Sequence, residues 1–284
     1  MTNASSILPM AKHFLQRLCF FQSKMSKFKS YTLNKTLIED LNFCLRLLER
    51  TKDGISLNAV SFRLHNICYF EDACNHGLGG WNHLGDFYDF FILPELLGRA
   101  HINELEFLAC VIHPWIDIFR RRISKGDCIF IMRDSTTAMG WLHKSKYREE
   151  GETAERHAIR LKTARKLAER VTDNGLTLYS QWFPGKDNIL ADSLSRDSHF
   201  SNSNRVSLFS SFFDPQDTPR FQRTIISVEI SDWICSILQM LPKPMPTQLE
   251  HTSSGLRIGQ SGRSSLFDSE FEAINIWKKS SFGR

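Results

Sequence analysis

Four acidic residues stand in settings where carboxylate chemistry could be assembled. Asp72 lies in Phe70-Glu71-Asp72-Ala73, and Glu106 in Ile102-Asn103-Glu104-Leu105-Glu106. Asp134 lies in Met132-Arg133-Asp134-Ser135-Thr136-Thr137, and Asp192 in Leu190-Ala191-Asp192-Ser193-Leu194-Ser195-Arg196. Carboxylates drawn from separate elements supply hard oxygen ligands, which suit magnesium or manganese. Two such ions held roughly 3.5–4 Å apart serve in-line displacement at phosphorus, one on the attacking water and one on the leaving oxygen. Acids packed that closely repel one another unless a cation lies among them. Taken singly, each residue has a plainer account. Asp72 can begin a turn at a strand end, Glu106 can flank a helix, Asp134 can cap the helix after it, and Asp192 can be solvated. Glu104 and Glu106 flank one apolar stripe almost symmetrically, so periodicity does not choose between them. If the four acids converge, the chain is expected to be a nuclease.

The elements that must carry these acids can be read from hydrophobic spacing. Residues 66–72 predict a strand ending at Asp72, and 128–132 a continuous apolar strand, as expected of one buried on both faces and ending before Asp134. If the two are parallel neighbours, both carboxylates emerge on one sheet edge about 5 Å apart, the edge where open α/β sheets place their sites. Gly77-Leu78-Gly79-Gly80-Trp81 reads as a tight turn entering a second strand, with glycine tolerating positive φ, and 87–93 as a third strand. That succession suggests an antiparallel meander. Ile102, Leu105, Ala109, Ile112 and Ile116 share one helical face, which Pro114 should kink or end. A short helix is expected over 136–146, a helix over 152–171 with Ala164, Leu167, Ala168 and Val171 inward, a last strand over 176–183 and a last helix over 188–196.

Ahead of this domain, Met10, Phe14, Leu18 and Phe21 mark one amphipathic helix, and Leu37, Leu41, Cys44, Leu45 and Leu48 a second. Beyond 197 serine becomes frequent, and 228–241 offers one more amphipathic helix. The expected organisation is a helical connection over 1–60, the α/β domain over 66–197, a linker with one helix over 198–246, and a poorly ordered tail over 247–284 that folds only with a partner, if at all.

An apolar fraction of 42% in 284 residues suffices for a substantial core. A formal charge of +5 permits a nucleic-acid partner without demonstrating one. The seven cysteines include no C-x-x-C pair and are odd in number, which signals neither a zinc site nor a disulfide framework and predicts an intracellular, reducing compartment, cytoplasm or nucleus. No apolar run reaches the roughly 20 residues of a membrane span. The basic, acid-free first 38 residues admit a transit peptide as an alternative. Arg156, Arg160, Lys162, Arg165, Lys166 and Arg170 make the 152–171 helix basic, which reads as a solvated face or a phosphate contact.

Several of these stretches resemble a known family. Asp72-Ala73-Cys74 with Gly77-Leu78-Gly79-Gly80 resembles the D-A-S strand and glycine turn of ribonuclease H domains in retroelement reverse transcriptases, DIRS-like or related. Ile102 to Ala109 is similar to their I-N-x-L-E-x-x-A helix, which selects Glu106 over Glu104, and Asp134-Ser135-Thr136-Thr137-Ala138 to their D-N-T-T-A. Trp182 to Arg196 is similar to their I-P-G-x-x-N-x-x-A-D-x-L-S-R ending. Tyr69-Phe70-Glu71-Asp72 also looks like the polymerase Y-x-D-D, but Glu71 occupies its third position and no upstream aspartate motif completes that site. Ser135 and Cys74 depart from the usual Asn and Ser, and Lys186 stands in a loop without an assisting histidine. The resemblance covers about 66–197 and extends upstream to 11–18, similar to the segment joining polymerase to ribonuclease H. It implies a ribonuclease H-like fold with a five-stranded mixed sheet flanked by helices. It implies Asp72, Glu106, Asp134 and Asp192 as catalytic ligands of two magnesium or manganese ions, cutting the RNA strand of an RNA–DNA hybrid. Arg156, Arg160, Lys162, Lys166 and Lys186 would contact the nucleic acid. A polymerase domain would be a partner, and with no palm in this sequence the chain reads as a fragment of a polyprotein or a decayed or partial gene. A non-catalytic nucleic-acid-binding remnant of the same fold is the alternative.

Overall fold

A computed structural model describes residues 9–25, 29–52, 54, 64–143, 152–213 and 221–243. The expectation for the 247–284 tail falls outside them, as do residues 144–146 of the predicted 136–146 helix. Strand β1 (Ile67–Cys74) is buried at all eight positions, consistent with its nearly unbroken apolar lettering. It sits inside a six-stranded mixed sheet in which β2 is Gly77–Asn82, β3 Asp86–Phe91, β4 Cys128–Arg133, β5 Thr177–Trp182 and β6 Gln222–Arg223. The strand order is β5-β4-β1-β2-β3-β6. The pairs β1–β2 and β2–β3 are antiparallel, while β1–β4, β4–β5 and β3–β6 are parallel.

Helices cover both faces. On one lie α1 (Lys12–Lys24), α2 (Lys35–Thr51), α3 (Ile102–Phe119), α4 (Thr136–His143), α5 (Ala154–Asp173) and α8 (Val228–Gln239). On the other lie α6 (Ile189–Arg196) and α7 (Asn202–Phe212). No helix among the described residues is long and apolar enough to cross a membrane.

The sheet has one strand more than the five expected. Gln222 and Thr224 donate their backbone N–H groups to the carbonyls of Gly85 and Phe87, and Arg223 forks onto the buried Asp89 carboxylate at 2.6 and 2.8 Å. A two-residue strand is too short for an alternating pattern, so its signal lies in that ion pair. Phe209 and Phe221 pack with Trp81 and Phe87, so the segment after 197 contributes to the core.

Pro114 neither ends nor breaks α3. It has no N–H for the Cys110 carbonyl, yet the helix runs on to Phe119 with every residue from Glu104 to Asp117 buried. Tertiary burial outweighs the lost bond. Helix α2 also turns a different face inward from the one its leucines mark. Leu37, Phe43 and Leu47 are buried while Leu41, Leu45 and Leu48 are exposed. Asp40 explains the rotation, because its buried carboxylate accepts from Arg17 and Arg165.

The glycines of 77–80 lie within β2 rather than in a turn, and none has positive φ. What they supply is the absence of a side chain. A Cβ on Gly79 would stand 2.5 Å from Leu194 Cβ and 2.6 Å from Ser195 N, and one on Gly77 2.5 Å from the Ser195 carbonyl oxygen. Helix α6 therefore rests directly on the β2 backbone. Gly79→Ala is expected to destabilise the fold by about 1–3 kcal/mol, because the nearest atoms include backbone; urea unfolding should show the shift, and a stability equal to the parent would contradict this packing.

Candidate metal centre

The β1–β4 ladder pairs Ile67 with Ile129 and Phe70 with Met132. Continuing that register places Asp72 beside Asp134. Side chains alternate across a strand, so both carboxylates share the face of Phe70 and Met132, which packs under α6. Glu106 arrives from the second turn of α3, whose N-terminus is capped by the His101 side chain on Asn103 N–H. One oxygen from each of Asp72, Glu106 and Asp134 lies within 4.8 Å of the others. Asp72 and Glu106 are buried, and Asp134 partly so.

Glu104 takes no part in this group. It is paired with Arg156 at 2.7 Å. The fourth expected acid, Asp192, stands apart on α6: its half-exposed carboxylate accepts from Arg196 one turn later. It is near enough to Asp72 to raise that residue's pKa.

Three groups to which the motif reading gave no part at the acids hold them in place. Ser195 donates its hydroxyl to Asp72 at 2.7 Å. Ser135 supports Glu106 by a side-chain hydrogen bond. Arg133, fully buried, donates through Nη2 to Glu106 Oε2 at 2.8 Å and through Nη1 to the Glu106 carbonyl and Cys110 Sγ. It points to the opposite face of β4 from Asp134, as alternation requires. The residue before a candidate metal ligand thus anchors another ligand, but an arginine in an apolar strand carries no distinctive spacing.

The balance of charge favours a cation. With Asp192 and Arg196, which both bear on Asp72, four acids face two guanidiniums, leaving a deficit of positive charge that a hard divalent ion would fill. Asp134 Oδ1 is buried with no hydrogen-bond partner among the described residues, a costly state for a carboxylate oxygen unless a metal takes it. Gly185 closes over its other side, since a Cβ there would meet Asp134 Oδ2 at 2.2 Å. The buried triad could hold a metal ion.

Glu71, the neighbour of Asp72, belongs to a different network. It is buried on the α3 face, accepts from Tyr88 at 3.0 Å and meets His113 Nδ1 at 2.8 Å. Burial pushes Glu71 far above the usual carboxylate range and His113 down to about 3. Burial thus disfavours the charged form of both partners.

The expected nucleic-acid contacts are mostly engaged within the chain. Arg156 pairs with Glu104 and Arg160 with Glu152, while Lys166 lies over the rings of Trp115 and Trp233. Lys162 and Lys186 are exposed. Lys186 sits in a single 3-10 turn, Gly185–Asp187, against Asp134.

Comparison with protein-family models, curated proteins and solved structures finds no match. The chemistry of the centre therefore rests on its own geometry.

Burial raises the pKa of Asp72 to about 6, with Asp192 and Asp134 adding to the shift and the Ser195 hydroxyl opposing it. Burial likewise raises Glu106, against the pull of Arg133. A raised acid favours the protonated folded state, so its contribution to stability is complete below the unfolded pKa and is lost as pH rises through about 6. Metal ligation needs the deprotonated form. The rise in melting temperature produced by manganese should therefore be small at about pH 5 and grow towards about pH 7. A manganese effect that stays constant over that range would contradict ligation by these acids.

Proposed function

We propose that this chain is a metal-dependent endoribonuclease of the ribonuclease H type, cutting the RNA strand of RNA–DNA hybrids. The observation that carries the reading is the convergence of Asp72, Glu106 and Asp134 in the order and motif setting that resemble retroelement ribonuclease H domains. The sheet supports it as well. Three antiparallel strands followed by two parallel ones, β1 to β5, agree with the fold that the resemblance implies.

Asp72, Glu106 and Asp134 would hold magnesium or manganese, with Asp192 completing a two-ion set once released from Arg196. Bound divalent ions would supply the activated water and charge stabilisation at the leaving oxygen. The chain's own residues fix the geometry. Ser195 orients Asp72, Arg133 and Ser135 orient Glu106, and the Gly185 backbone walls off Asp134. The products would carry 5′-phosphate and 3′-hydroxyl ends, and the 2′-hydroxyl would distinguish RNA from DNA. A polymerase domain would supply hybrid substrate.

One observation favours the alternative, a binding module without activity: the engagement of Asp192 by Arg196 leaves three converging acids instead of four. A single assay separates the two. Purified protein with magnesium is offered hybrid, duplex RNA and duplex DNA. Cleavage confined to the RNA of the hybrid is expected. Binding without cleavage by clean protein would leave the module.

A further inference from the structure

Trp182 is the last residue of β5, the edge strand beside β4, and is paired in register with Arg133. Half its surface (50%) is exposed, more than any other tryptophan among the described residues. Its indole N–H donates to the backbone carbonyl of Asp134 at 3.0 Å. The ring is thus fixed to the backbone of a candidate metal ligand while much of its surface meets solvent. The chain then passes through Phe183 and Pro184 to Gly185, which abuts the Asp134 carboxylate, and to the exposed Lys186. An apolar plate on the Arg133 side of the sheet, tied to the Asp134 main chain, and a cation next to the glycine that abuts the Asp134 carboxylate accordingly lie at the strand ends that carry this acid. A nucleic-acid strand presents the matching surfaces, flat sugar and base faces alternating with phosphates, and aromatic side chains serve as stacking platforms for them.

We propose that Trp182 is a substrate-contact residue, its ring packing against the sugar or base face of the nucleotide next to the phosphate held at Asp134, with Lys186 on a neighbouring phosphate. The inference rests on the nuclease reading and adds the part of the surface that grips the cut strand.

The test measures binding of a short RNA–DNA hybrid by fluorescence anisotropy, in the Asp134→Asn background of the full chain, where no strand is cut. Circular dichroism verifies that each variant is folded. Trp182→Ala should weaken binding about tenfold, by a similar factor at low and high salt, because the lost contact is apolar. Lys186→Ala should instead lower the slope of log affinity against log salt by about one. Trp182→Phe, which keeps a ring but cannot donate to Asp134, should recover most of the affinity. Equal binding by the parent and Trp182→Ala would overturn the Trp182 assignment alone. A phenylalanine variant as weak as the alanine variant would also overturn it, assigning the effect to the N–H tie. A parent that does not bind hybrid would remove the nuclease reading, and this proposal with it.

Discussion

Asp134→Asn is expected to lower magnesium-dependent cleavage of hybrid RNA by about a thousandfold or more, equivalent to about 4 kcal/mol of transition-state stabilisation. The substitution changes little in shape. Asparagine keeps one oxygen and the same branching, so it can occupy the space against Gly185, and the backbone carbonyl that receives the Trp182 N–H is unaffected. What it removes is a negative charge from a cluster whose ligand atoms lie within 4.8 Å of one another. Stability without metal should therefore be unchanged or slightly higher, since one of three mutually repelling carboxylates has gone, while the manganese-induced rise in melting temperature should largely disappear. That combination distinguishes loss of a ligand from loss of the fold. Cleavage within tenfold of the parent would sink the assignment of Asp134.

The geometry of this centre was legible in the sequence where its cause is local and periodic. Two apolar runs, one leading to Asp72 and one stopping short of Asp134, predict two buried strands; β1 in fact continues past Asp72 to Cys74, and its parallel pairing with β4 brings Asp72 beside Asp134. The inner face of α5 likewise follows from Ala164, Leu167, Ala168 and Val171. Where long-range ion pairs decide, the letters mislead. The face of α2 is set by Asp40 against Arg17 and Arg165, and Leu41, Leu45 and Leu48 remain outside. The glycines of β2 were legible as special, but their reason is the approach of α6, a contact between residues more than a hundred positions apart. Strand β6 depends on Arg223 reaching Asp89 across a similar separation. Glu104 and Glu106 could not be separated by periodicity because both flank the same stripe. Their partners separate them: Arg156 holds Glu104, and Arg133 holds Glu106 beside the aspartates.

The side chain that makes Glu106 available is itself open to a decisive test. Arg133→Met is expected to destabilise the protein by about 3–5 kcal/mol, the usual consequence of removing one member of a buried ion pair. The Arg133 side chain has no exposed surface, and that of Glu106 is 12% exposed. Methionine fills much of the same volume, so the cost would come less from a cavity than from the Glu106 carboxylate left without its cationic donor. The Glu106 carbonyl and Cys110 Sγ lose a donor too. Lysine should not restore stability, because one ammonium cannot reproduce a planar fork directed at both the carboxylate and the carbonyl. The double variant Arg133→Met, Glu106→Met should recover a substantial part of the loss, since replacing both members of a buried pair by apolar groups is often near neutral. Urea unfolding of the parent, Arg133→Met, Arg133→Lys, Glu106→Met and the double variant in a chelator at neutral pH measures the coupling without involving metal. A single Arg133→Met variant within about 1 kcal/mol of the parent would show that water or rearrangement already satisfies Glu106. A double variant as unstable as the single one would show that Arg133 acts chiefly through the α3 backbone at Glu106. Agreement with the predicted pattern would make this pair a fixed element of the metal-free site.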